Sequence, residues 1–231
     1  MELVVQLERA LPDGSRYQRL GPKELGGYAL ALARCWRLAG LERGDRVMIM
    51  DFGCSPLSYL ASSMYCPFLR RGAAEMVGCI PVCNDGVGTV IPRAIRMIEV
   101  LQPRVVYLRG DLVPPLLQAL QETRLCVRTW VVGAEEAVPS AADLDRLAQA
   151  SGGEVLGLVR LDAALFMAQQ CSRCRAFHVW TDIYRVWEDR GCLATAPRFS
   201  PDRSYVSSLP LRIVKGMCRQ GPRHIRLALL P

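Results

Sequence analysis

Short runs of strand length, apolar almost throughout, recur along the chain at residues 47–50, 79–82, 105–108, 129–132 and 155–159. Segments of helix length separate them, at 58–71, 91–101, 112–122 and 141–150. A strand that is apolar on both faces must be covered on both, and a parallel sheet sandwiched between helix layers does this. Right-handed crossovers between such strands give a doubly wound α/β arrangement. Ahead of the first run, Leu25, Tyr28, Leu32 and Trp36 fall on one face of a helix expected over 22–39, with Gly40 as its stop. The residues before that helix read as irregular.

The pattern changes near Ala164. His178, Trp180, Tyr184 and Trp187 alternate through 171–190 in the manner of antiparallel strands, Pro197, Pro201 and Asp202 mark a turn, and 205–214 reads as one further strand. The expected architecture is an α/β core over 1–163 with a small β-rich extension over 164–231 that is able to hold zinc. With 51% apolar residues, a chain of 231 can bury one sizeable core.

Lys plus Arg exceed Asp plus Glu by 29 − 22 = 7. The excess collects late, where Arg198, Arg203, Arg212, Lys215, Arg219, Arg223 and Arg226 face only Asp202. Such an end suits nucleotide phosphates, CoA, nucleic acid, an acidic partner protein or plain solvation. Nucleic acid is not expected, because Trp180, Tyr184 and Trp187 at strand spacing read as packing rather than base stacking. No run approaches the roughly 20 apolar residues of a membrane span. The acidic start, with Glu2, Glu8 and Asp13, lacks a signal pattern. A cytoplasmic location follows as the expectation, with the ten cysteines as reduced thiols or metal ligands. Cys35, Cys54, Cys79 and Cys126 sit in apolar stretches and read as small core residues.

Two places carry candidate chemistry. Cys171-x-x-Cys174-x-x-x-His178 has zinc-ligand types at zinc spacing, with Cys192, Cys218 or Cys66 as a fourth ligand. The same residues also read as buried thiols beside a histidine that bonds a carbonyl. Gly133-Ala134-Glu135 is a small-residue turn after a strand, the usual place for ligand contact in an open α/β sheet. Asn84-Asp85-Gly86-Val87-Gly88 is a turn signal. With two histidines in the chain and no cysteine paired to either by sequence, a Cys–His hydrolase is not indicated.

Several colinear pieces carry a family likeness: Gly40-Leu41-Glu42-Arg43-Gly44-Asp45-Arg46-Val47, then residues 71–82, Val131-Val132-Gly133-Ala134-Glu135-Glu136, 155–168, and 171–182 with its His178-Val179-Trp180. Over residues 16–221 the chain resembles the phenylacetate–CoA ligase branch of the adenylate-forming, AMP-dependent acyl-CoA ligases. The resemblance implies a fold built for ATP-dependent carboxylate activation, with ATP or AMP and CoA as ligands and residues 133–135 beside the adenine. It also marks departures. The family's Gly/Ser/Thr-rich phosphate loop, due before Arg16, has no counterpart. Its Tyr-Gly-x-Thr-Glu motif is met by Val159-Arg160-Leu161-Asp162-Ala163, and its Thr-Gly-Asp by Gln220-Gly221-Pro222. The C-terminal domain with the adenylation lysine is not in the sequence. The expectation is therefore a truncated ligase-like protein without autonomous adenylation, acting as a ligand-binding or interaction subunit, as a homo-oligomer or beside a partner protein. The alternative is a ligase completed by a second chain.

Overall fold

The computed structural model describes residues 2–7, 14, 16–121, 123, 125–214, 218 and 224–229. In chain order the elements are β1 (Leu3–Gln6), β2 (Tyr17–Leu20), α1 (Pro22–Leu38), β3 (Arg46–Met50), α2 (Pro56–Tyr59), α3 (Ala73–Val77) and β4 (Ile80–Asn84). Then come α4 (Ile91–Leu101), β5 (Val105–Arg109), α5 (Val113–Ala119), β6 (Thr129–Glu135), α6 (Ala141–Ser151) and β7 (Glu154–Leu161). The chain continues with β8 (Phe166–Gln170), β9 (Phe177–Trp180), β10 (Tyr184–Asp189), β11 (Cys192–Pro197), β12 (Tyr205–Ser207), β13 (Leu211–Val214) and β14 (His224–Leu229).

A nine-stranded sheet in the order β13-β14-β9-β8-β7-β6-β5-β3-β4 is the backbone of the molecule. From β4 to β7 neighbouring strands are parallel, and from β7 to β13 they are antiparallel. The reversal falls at Asp162–Ala164, a single 3-10 turn ending on Leu165 in the left-handed region. Strands β10, β11 and β12 form a separate antiparallel sheet, and β1 pairs with β2 as a hairpin.

The two helix layers follow from strand alternation. Val47 and Ile49 of β3 join Val105, Tyr107, Val131, Leu156 and Leu158 in a core closed by Leu25, Tyr28, Leu32 and Trp36 of α1. Met48 and Met50 point the other way, with Val106, Leu108, Trp130 and Val132, and are covered by Ile95 and Ile98 of α4, Leu116 of α5 and Leu147 of α6. The fold class is α/β, a doubly wound sheet continued by β-rich structure. Helix α1 buries the face expected for it, and the chain turns beyond it at Gly40, whose φ of 86° suits a residue without Cβ.

Four local expectations are corrected. Cys54 and Cys126, expected in the core with Cys35 and Cys79, are exposed. The segment 58–71 is not a helix: α2 stops at Tyr59 and the chain proceeds by turns to Gly72. The Ser62 and Ser63 hydroxyls donate to Glu75 Oε1 at 2.6 and 3.1 Å, and Pro67 lacks the N–H that a continuing helix needs. The N-terminal residues are not wholly irregular, since β1 and β2 pair from Leu3↔Leu20 to Gln6↔Tyr17. The strand expected over 205–214 is two strands in different sheets. The Ser207 side chain accepts the Leu209 N–H at 3.0 Å, and Pro210 follows, turning the chain from β12 into β13.

At the free edge of the large sheet, β4 presents Pro81. Ile80 N–H donates to Asp45 O on the inner side at 2.8 Å, so the Pro81 nitrogen faces outward, and Pro81 O accepts from Tyr65 Oη at 3.1 Å.

Candidate metal centre and strand-end site

The β8–β9 connection folds tightly because its polar groups are satisfied locally. Cys171 N–H donates to Ala176 O and Arg175 N–H to Cys171 O, both at 2.9 Å, with Arg175 left-handed at φ 57°. The Gln170 amide donates to Arg175 O at 2.8 Å. This turn presents Cys171 and Cys174 beside His178, the second residue of β9. Strand β14 returns antiparallel to β9, and Cys218 lies just before it in the chain. One ligand atom from each of Cys171, Cys174, His178 and Cys218 falls within 4.8 Å of the others. Cys192 opens β11 and Cys66 lies in the α1-side core, outside this cluster.

The spacing suits a tetrahedral ion. Zn–S bonds of about 2.3 Å and a Zn–N bond of about 2.0 Å place sulfurs roughly 3.8 Å apart and S···N roughly 3.5 Å. Cys171 Sγ and Cys218 Sγ are 4.0 Å apart, and Cys174 Sγ is 3.2 Å from His178 Nε2. Burial, His224 and Arg226 push the His178 pKa down to about 4, so the ring is neutral at pH 7, as a ligand must be. Burial raises the Cys174 thiol, as do its neighbours Cys218 and Cys171, although the Ala176 backbone acts against this. A divalent cation among these sulfurs reverses that trend by favouring thiolate. Three sulfurs and one nitrogen fill a tetrahedron completely, the composition of a structural rather than a catalytic zinc site.

The second location is the carboxyl edge of the parallel strands. Gly133 and Ala134, at the end of β6, line a cavity of about 300 Å3 with Phe52, Arg109, Gly110 and Asp111. The Arg109 guanidinium lies 3.7 Å from the centroid of the Phe52 ring and pairs with Asp111. Glu135 is half-buried beside this cavity's strand, in register with Arg160, and does not line it.

Next to it the edge is filled by charge. Arg160, 3% exposed, donates from Nη1 to Asp51 Oδ2 at 2.8 Å, while Nη2 lies 3.6 Å from Asp162 Oδ2. Tyr28 Oη donates to Asp162 Oδ1 at 3.0 Å. Burial alone lowers the pKa of a guanidinium, but Asp162 and Asp51 outweigh it and hold Arg160 above its ordinary range. Gly86 is required here. A Cβ on it would stand 2.8 Å from Asp51 Cα, so the 84–88 turn presses directly on the end of β3. The sequence set 159–163 against the family's Tyr-Gly-x-Thr-Glu motif but did not reveal the partners of Asp162. The available signal was Arg160 itself, a full charge inside an otherwise apolar strand, which demands a counter-charge. Residues 220–222, set against the family's Thr-Gly-Asp, lie outside the described residues, as do Lys215, Arg219, Arg223, Glu8 and Asp13.

No family model matches the sequence, and no curated protein matches it. Solved structures do. An open conformation of 2-hydroxyisobutyryl-CoA ligase, in complex with 2-HIB-AMP and CoA, superposes over 97% of this chain with a TM-score of 0.74 at 15% identity. The fold is that of the adenylate-forming acyl-CoA ligases. The anthranilate-CoA ligase AuaEII bound to anthranoyl-AMP matches over 75% of the chain, at a TM-score of 0.54 and 15% identity. Apo MbtA of Mycobacterium smegmatis matches over 87%, at 0.58 and 14%. This chain spans 55% of the hydroxyisobutyryl-CoA ligase chain, 36% of AuaEII and 41% of MbtA. Among the described residues, no helix is long and apolar enough to cross a membrane.

Proposed function

We propose that this chain is a ligase-like protein of the phenylacetate–CoA ligase branch that does not activate carboxylates by itself and acts as a ligand-binding or interaction subunit. The observation that carries this reading is the buried Asp51–Arg160–Asp162 network at the carboxyl ends of β3 and β7. Open α/β sheets receive their ligands at that edge. Here both carboxylates are engaged by the one guanidinium between them, and Asp162 also accepts from Tyr28, instead of being held open towards a metal–nucleotide complex. The neighbouring cavity beside Gly133 and Ala134 keeps room for part of a ligand such as AMP or an acyl-CoA. Arg109 at its wall supplies positive charge already shared with Asp111.

The Cys171, Cys174, His178 and Cys218 cluster is assigned to structural zinc, which would tie the β8–β9 turn to the chain entering β14. Exposed Val4, Tyr17 and Tyr65 around a cavity of about 400 Å3, with Met64 exposed next to Tyr65, suit self-association or a partner protein.

Carboxylate-dependent exchange of pyrophosphate into ATP tests the proposal. The isolated chain, given phenylacetate, benzoate or 2-hydroxyisobutyrate, is expected to show none above background. Clear exchange with any of these acids overturns the reading. Exchange that emerges only when a second ligase chain is added favours the alternative, an enzyme completed in trans.

A further inference from the structure

The chain contains two histidines, His178 and His224, and their Nδ1 atoms face one another at 2.8 Å. Ring centroids are 5.0 Å apart with the planes at 70°, so this is an edge-on hydrogen bond rather than a stack. Strand register sets the geometry. His178 lies opposite Arg226 and His224 opposite Trp180, which makes the two histidines diagonal neighbours on one face of the β9–β14 pair. The Trp180 ring, edge-on to His224 with centroids 5.8 Å apart, braces it from the other side.

Two imidazole nitrogens at this distance need one proton between them: one ring donates and the other accepts. The remaining nitrogen of His178, Nε2, faces Cys174 Sγ at 3.2 Å, inside the ligand cluster. A metal on Nε2 takes that lone pair, so the neutral His178 ring must carry its proton on Nδ1. The direction of the bond is then fixed. His178 Nδ1–H donates, and His224 accepts at Nδ1 with its own proton on Nε2.

We propose that His224 is the positioning residue of the metal centre, holding the His178 ring in the tautomer and orientation that aim Nε2 at a zinc-type cation. The proposal rests on the zinc assignment above. His224 contributes no ligand atom. It acts through its lone pair, which also makes the His178 ring a better donor to the metal. No carboxylate or carbonyl is hydrogen-bonded to His178 in this role among the described residues, so a second histidine supplies the acceptor.

Two measurements on the full chain test this. Zn2+ and Co2+ dissociation constants are compared for the wild type, His224→Phe and His224→Asn, with Cys174→Ser as the ligand-loss control. Asparagine offers Oδ1 near the position of the His Nδ1 acceptor, while phenylalanine keeps a ring but no lone pair. His224→Phe is expected to weaken binding about 10- to 100-fold, the range seen when such supporting partners are removed. His224→Asn should stay within about threefold of wild type. Equal affinity for the phenylalanine variant, or equal losses for both variants, overturns the positioning role while zinc binding by the wild type still stands. Failure of the wild type to bind either ion removes the zinc assignment and this proposal with it. Independently of any variant, long-range 1H–15N spectra of the zinc-loaded, 15N-histidine protein should show the Nδ1–H form for His178 and the Nε2–H form for His224. A proton on Nδ1 of His224 overturns the proposal even if both variants misfold.

Discussion

Arg160 is the residue on which the strand-end chemistry turns. A buried guanidinium between two carboxylates adds little net stability compared with an apolar packing, but removing one member leaves the others charged and desolvated. Arg160→Met is therefore expected to lower stability by about 3–5 kcal/mol, since Asp51 and Asp162 lose their counter-charge. The triple variant that adds Asp51→Asn and Asp162→Asn should recover most of that loss. Denaturant midpoints at unchanged m-value read both effects. A loss near zero for Arg160→Met would mean that water relaxes the site and the charges are not a closed network. Asp51 and Arg160 are 109 residues apart, so the sequence advertised the need for a partner without indicating which one. The same holds for Cys218, one of three candidate fourth ligands until β14 is laid beside β9. His224, 46 residues from His178, carried no local signal at all.

Among the elements, α1 shows what periodicity can and cannot reveal. Its buried face was legible, because amphipathic spacing is a local property. Its anchorage was not. The Glu24 carboxylate accepts the Gly21 N–H at 2.9 Å and also pairs with Ser200 Oγ at 3.0 Å and Arg203 Nε at 2.6 Å, from the turn after β11. Burial raises the Glu24 pKa, but Gly21, Arg203 and Ser200 together outweigh it and hold the net value below the ordinary carboxylate range. A lowered folded pKa means stability that is present above the unfolded value of about 4.3 and lost as pH falls through the folded one. Glu24→Gln should therefore cost about 0.5–2 kcal/mol at pH 7, the range of a lost cap, and the gap from wild type should close towards pH 3. Unfolding curves at both pH values check this, and a gap undiminished at pH 3 would place the effect in packing instead of charge. The misread segment at 58–71 failed for a related reason. Hydrophobic spacing carries no record of serine hydroxyls turned toward Glu75.

For the whole molecule, the alternation of apolar runs was enough to give the doubly wound class, because covering both faces of a buried sheet leaves few arrangements. Where the parallel strands give way to antiparallel ones was legible as a change of pattern near Ala164. The splitting of the later strands between two sheets depended on Leu209 and Pro210 and was not legible. The exposed apolar residues near the β1–β2 hairpin lead to an expectation about assembly. Light scattering should return a mass that is a multiple of 25.6 kDa, and Val4→Glu with Met64→Glu should return 25.6 kDa itself. A wild-type protein that stays at the single-chain mass at micromolar concentration counts against self-association.

The outer strand β4 limits how copies of this sheet can join. A strand arriving from another chain would need an N–H at Pro81, which has none, and a free carbonyl there, where Tyr65 already donates. Cross-chain extension of the sheet is disfavoured where Pro81 stands on this border. A single imino acid and one phenol interrupt the outer ladder at the second residue of β4.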